Sequence, residues 1–190
     1  RRPDRSVSGT LFQPSMIAAA LQRLDRSARL IAPFTISAML VMIAALPVQL
    51  PGYGQIAFNV GLITVFYWAI YRPDLMPVLA AFLLGLWQDI LVGSPVGLNA
   101  LILLLVNWAI VSQRTFFQGK SFGVIWFCFA IVTMAAATIS WILVCGLNAT
   151  LIDPLPGLFQ ALLTIGAFPF MAWLLARIQH AVLKPADEDV

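Results

Sequence analysis

Charge is what this sequence has least of. Only 10% of its 190 residues are Asp, Glu, Lys or Arg, against 61% hydrophobic residues and a mean hydropathy of +0.93. A soluble domain of this size carries about 25% charged and about 45–50% apolar residues, so a water-soluble fold is excluded. Cysteine and histidine are nearly missing as well. Cys128 and Cys145 share one apolar segment, about 25 Å apart on a helix rising roughly 1.5 Å per residue, too far for a disulfide. The single histidine, His180, has no cysteine or second histidine beside it in sequence, so no metal site is expected. No Ser/His/Asp grouping, paired catalytic carboxylates, phosphate-binding glycine loop or basic-aromatic nucleic-acid surface is present. The expectation is a non-enzymatic protein without cofactor, metal or nucleic acid.

What fills the chain is long apolar runs. A spanning helix needs about 20 mostly apolar residues, and six segments approach that: Leu30 to Pro47, Gln55 to Tyr71, Leu75 to Val92, Pro95 to Ser112, Ser121 to Leu147, and Pro156 to about Val182. They are too long and too uniformly apolar for the alternating strands of a membrane barrel. The fold expected is therefore all-α, a polytopic bundle of six transmembrane helices. Short links predict that consecutive helices pack as antiparallel neighbours. Ahead of the bundle, Ser15 to Arg29 sets Ile17, Leu21, Leu24 and Ala28 against Gln22, Arg23, Asp25, Arg26 and Arg29, the pattern of an interfacial amphipathic helix on membrane lipid. The organisation read from this is a cytoplasmic N-terminal segment over 1–29, a membrane domain over 30–182 and a cytoplasmic tail over 183–190.

Orientation follows from the cations. Arg1, Arg2, Arg5, Arg23, Arg26, Arg29, Arg72, Arg114, Lys120, Arg177 and Lys184 all fall on one side of a six-span chain. The positive-inside rule then places both termini in the cytoplasm.

Polar residues inside the spans are the candidate functional groups. Asp89, Asn59, Asn99 and Gln160 belong to four different spans and come to nearly the same outward depth. Asp89 stands before Gly93-Ser94-Pro95-Val96-Gly97, where Ser94 and Pro95 read as the N-cap and first-turn proline of the fourth helix and Gly93 as the end of the third. A carboxylate there can fold over the positive end of that helix. Gly85 and Ala81 keep the same face small enough for close helix approach. The four polar residues either brace the outer hairpin or line a pocket for a small polar ligand. The bracing reading is preferred, because interhelical hydrogen bonds among such residues are common and a lone carboxylate is thin machinery for a proton relay. Asn107 and Gln113 are expected to bond neighbours or headgroups, and Thr133, Thr138 and Ser140 to bond back to helix carbonyls. Pro77 and Pro169 are candidate kinks.

Tyr67-Trp68 closing one span, a short Arg-Pro-Asp link, and then G-L-x-x-D-I-L-x-G-x-x-x-G-L-N-A-L from Gly85 to Leu101 resemble the rod shape-determining family MreD. Gly85, Asp89, Gly93, Pro95, Gly97 and Leu98 carry the likeness. The resemblance implies a subunit of the bacterial cell-elongation machinery that binds MreC and acts with MreB, the glycosyltransferase RodA and a penicillin-binding transpeptidase in lateral peptidoglycan synthesis. The family is also similar in fold to the substrate-binding membrane subunits of energy-coupling factor transporters. That likeness supplies the alternative function, a small-molecule-binding transporter subunit.

Overall fold

The computed structural model describes residues 33–44, 58–117 and 119–182. The amphipathic helix expected over Ser15 to Arg29 and the tail over 183–190 lie outside the described residues. Those described are entirely helical apart from links. The helices are α1 (Pro33–Ala44), α2 (Val60–Tyr71), α3 (Val78–Val92), α4 (Leu98–Ser112), a four-residue α5 (Arg114–Phe117), α6 (Phe122–Asn148) and α7 (Leu155–Val182).

α2 is the axle of the bundle. Its sequence VGLITVFYWAIY has no polar stripe, and such a helix lies either within a core or against lipid. All ten residues from Val60 to Ala69 are buried. α2 packs mainly on α4 and α7, while α3 and α4 form one hairpin and α6 and α7 another. The expectation that consecutive helices are the main neighbours therefore fails at α2 and α3. α2 is enclosed by α4 and α7, and the 3-10 turn Pro73–Leu75 leads the chain away from α2 before α3 begins. α1 reaches the core through Pro33, Ser37 and Val41, spaced one turn apart. Deeper in, Phe66 of α2 meets Phe129 of α6 edge-on at 4.9 Å and Phe168 of α7 at 5.7 Å. Phe129 and Phe168 stack at 4.2 Å, so one aromatic knot joins three helices.

The outward faces are as apolar as the inward ones. α6 buries Ile125, Phe129, Thr133 and Ala136, a stripe at helical spacing, and exposes Phe127, Ile131, Met134, Ile142 and Leu147. α3 likewise buries Ala81, Leu84, Gly85, Gln88 and Asp89 while exposing Val78, Leu79, Phe82 and Ile90. Such surfaces are stable in lipid, where tails are as apolar as leucine, and would aggregate in water.

Length separates the helices into two groups. α6, with 27 residues, and α7, in its part Leu155–Gln179, are long and apolar enough to cross a bilayer unaided. α2, with 12 residues, and α3 and α4, with 15 each, are shorter than the spans read from sequence. Fifteen residues reach about 22 Å against a hydrocarbon core of about 30 Å, so helix length alone does not establish six spans. Local chemistry sets the late starts. Asn59 caps α2 by accepting from the Leu62 N–H, Pro77 precedes α3, and Gly97 precedes α4.

Contacts also fix the helix directions. Asn59 pairs with Thr164 and Tyr67 with Gln179, so α2 and α7 run parallel. Trp126 meets Ile165 and Trp141 meets Ile152, so α6 runs against α7. One end of the bundle thus gathers Asn59, Asp89, Asn99 and Asp153. The described cations Arg72, Arg114, Lys120 and Arg177 follow from helix ends at the other.

Candidate functional site

The Asp89 end is built from a close approach of two backbones. Gly85 faces Ala100 and Asn99 so tightly that an added Cβ would lie 2.6 Å from the Ala100 nitrogen and 2.8 Å from the Asn99 oxygen. Only glycine admits α4 at that distance. One turn further along α3, Asp89 is 1% exposed, a carboxylate inside the hairpin.

Both ends of Asp89 act on helix termini. Its carbonyl accepts from Gly93 N–H at 3.0 Å and from Ser94 N–H at 3.2 Å, closing α3. The second bond is the long-range closure of a Schellman turn, which requires a left-handed residue, and Gly93 supplies it with φ +71°. Its carboxylate then opens α4. Oδ1 accepts from the Ser94 hydroxyl at 2.6 Å, the Asn99 N–H at 3.0 Å and Asn99 Nδ2 at 2.9 Å. Oδ2 accepts from Gly97 N–H at 2.8 Å and Ala100 N–H at 3.4 Å.

A helix leaves its first N–H groups without intrahelical partners, and here every one is met. Asp89 takes those of Gly97, Asn99 and Ala100, and Leu98 donates to the Pro95 carbonyl at 3.1 Å. The cap of α4 therefore comes from the preceding helix. Ser94 and Pro95, read from sequence as cap and first turn, lie in the link instead. α4 starts at Leu98 because Gly97, at φ +98°, stands outside the helical region, and the Ser94 hydroxyl donates to Asp89 and accepts from the Asn99 side chain rather than from an α4 backbone N–H. Five donors and the positive end of a 15-residue helix offset the cost of burying the charge.

Asn59 centres a second group. Its backbone N–H donates to Thr164 Oγ1 at 2.9 Å, and its Oδ1 accepts from Leu62 N–H at 2.9 Å and Gln88 Nε2 at 3.0 Å. Thr164 donates in turn to the Gln160 carbonyl at 2.7 Å. The four residues singled out in the sequence thus fall into two adjoining groups. Asp89 and Asn99 share the hairpin, while Asn59 reaches Thr164, whose hydroxyl bonds back to the main-chain carbonyl of Gln160 rather than to its side chain. Gln88 and Thr164 were missed in the sequence reading. Gln88, a second polar side chain beside Asp89 in an apolar helix, was the available signal.

Gln88 Oε1 is buried and has no hydrogen-bond partner. A Cβ on Gly61 would overlap it, so the oxygen rests against the Gly61 Cα–H, a weak acceptor contact. Asn107 is 1% exposed and its Oδ1 is unpartnered. Thr138 bonds back to the Met134 carbonyl at 2.8 Å as its type predicts, whereas the buried Thr133 hydroxyl finds no partner. Among the described residues no three His, Cys, Asp or Glu side chains group as metal ligands. Chemically, the site fixes two helix ends and holds one hairpin against α2 and α7.

An all-helical bundle whose exposed faces are apolar, and whose buried carboxylate is committed to helix ends, is of the integral membrane class. Within it the chain belongs to the MreD family: the model described as rod shape-determining protein MreD matches residues 26–178. It is accordingly a rod-shape-determining membrane protein of a structural family. No curated protein and no solved structure matches the chain.

Proposed function

We propose that this protein is a non-enzymatic scaffold of the bacterial elongation complex, which binds the membrane helix of MreC and helps organise lateral peptidoglycan synthesis. MreB, RodA and a penicillin-binding transpeptidase are its indirect partners in this reading. The observation that carries it is the saturation of Asp89. Every donor on its carboxylate comes from its own hairpin, through Ser94, Gly97, Asn99 and Ala100. A group so occupied holds a shape and leaves nothing for acid-base work.

The same reading lets α1 to α4 cross the inner membrane together with α6 and α7. Short helices are accommodated by local thinning of the bilayer, at fractions of a kcal/mol per Å. The end bearing Arg72, Arg114, Lys120 and Arg177 faces the cytoplasm, as the positive-inside rule requires, and both termini lie there. The Asp89 hairpin faces outward.

A second reading, the ligand-binding subunit of an energy-coupling factor transporter, draws on Gln88. Its unpartnered Oε1 beside Asn59 and Thr164 is a spare acceptor at the outward end. Purification of the tagged chain from native membranes in mild detergent separates the two. Recovery with MreC and without a small metabolite supports the scaffold; recovery with a coupling subunit and nucleotide-binding proteins replaces it with the transporter.

A further inference from the structure

α7 contains Pro169 in its interior. Proline has no N–H, so the carbonyl one turn earlier, that of Ile165, loses its intrahelical donor, and the ring crowds the same turn. In water that carbonyl would be solvated. In lipid it is an unsatisfied acceptor, which is costly unless a neighbour supplies a donor. The neighbour here is Trp126 of α6, whose indole Nε1–H donates to the Ile165 oxygen at 3.0 Å.

The two halves of α7 are otherwise fastened separately. Before the break, Thr164 accepts from the backbone of Asn59 at 2.9 Å. After it, Gln179 accepts from the Tyr67 hydroxyl at 3.0 Å. Phe168, stacked on Phe129 at 4.2 Å, packs at the break like a pivot. Gly166, in the weakened turn, has open space where a Cβ would be, so no side chain there resists bending. Beyond the break α7 carries Trp173 and, 5.2 Å over its ring, Arg177 at the cationic end.

We propose that α7 is a hinged helix and that Trp126 is the latch of its hinge. With the indole N–H in place the helix is continuous in hydrogen bonding. With it withdrawn, the turn at Ile165 loses its donor and the helix bends there, shifting the half beyond Pro169, with Arg177, relative to the half before it. The hinge is independent of which partner the bundle holds.

Hydrogen exchange of the full chain in lipid nanodiscs tests it. Trp126→Phe keeps the ring and removes the donor, and should raise exchange about tenfold in peptides beyond Pro169 while leaving those over 155–164 unchanged. In a Pro169→Ala background the backbone N–H restored at position 169 serves Ile165, and Trp126→Phe should then change nothing. Pro169→Ala alone should slow exchange beyond the break, which keeps the test decisive if Trp126→Phe does not fold. Equal effects of Trp126→Phe in both backgrounds, a uniform rise along α6 and α7, or no slowing in Pro169→Ala would each overturn the latch.

Discussion

Asp89 accepts twice from Ser94, through its carbonyl from the backbone N–H at 3.2 Å and through Oδ1 from the hydroxyl at 2.6 Å. One residue thereby ends α3 with its main chain and starts α4 with its side chain. The hairpin between them follows from that double use. A change at Asp89 should loosen two helix ends together, which a simple cap would not do.

The two halves of the carboxylate have different partners, so conservative and severe substitutions should be graded. Asp89→Asn keeps an oxygen for Ser94 and Asn99 but turns an NH2 toward the Gly97 and Ala100 N–H groups, at a cost of about 2 kcal/mol. Asp89→Ala leaves three helix N–H groups without acceptors and should cost about 3 kcal/mol or more. Thermal unfolding in detergent reads the order wild type, Asn, Ala.

Gly85 and Gly61 are both tight, but against different obstacles. At Gly85 a methyl meets the backbone of Ala100 and Asn99, which cannot swing aside, so Gly85→Ala should destabilise by about 1–3 kcal/mol or more. At Gly61 the obstacle is the end of the Gln88 side chain. Gly61→Ala should therefore be partly rescued by Gln88→Ala, with a coupling of about 1 kcal/mol in a double-mutant cycle.

Phe168 and Phe170 sit two residues apart and should respond very differently to truncation. Phe168 is 1% exposed within the aromatic knot, whereas Phe170 is 65% exposed toward lipid. Phe168→Ala should cost about 3–5 kcal/mol, and Phe170→Ala should leave the melting temperature nearly unchanged.

Orientation is checked by single cysteines in a chain whose Cys128 and Cys145 are replaced by alanine. Val96, 77% exposed in the hairpin, marks the Asp89 end, and Lys120 marks the cationic end. A membrane-impermeant thiol reagent should label Val96→Cys in intact spheroplasts and Lys120→Cys only after permeabilisation. The reverse pattern would invert the proposed topology.

The parts of this architecture legible in the sequence are those written by near neighbours. Asp89, Ser94 and Asn99 lie within ten positions, where turn chemistry constrains them, so their association could be read. The start of α4 could not be placed, because Ser94 satisfies the N-cap pattern and only its side-chain direction shows that it serves Asp89 instead. Asn59 with Thr164, separated by 105 positions, and Trp126 with Ile165, separated by 39, left no local trace. Pro169 announced a broken turn, but not which helix would mend it. Buried and lipid-facing residues of α6 are equally apolar, so its packing stripe of Ile125, Phe129, Thr133 and Ala136 had no polar face to stand against.

The bracing role of Asp89 is tested most directly by the shape of cells that carry Asp89 variants in place of their own MreD. Cell width and the membrane level of folded protein are measured in the same cultures. Shape should follow folding: rods with wild type, rods at reduced protein level with Asp89→Asn, and round cells with Asp89→Ala because the folded protein is lost. Round cells in which the Asp89→Ala protein is present at wild-type level with wild-type melting would contradict it, since the carboxylate would then act through something other than the hairpin it holds.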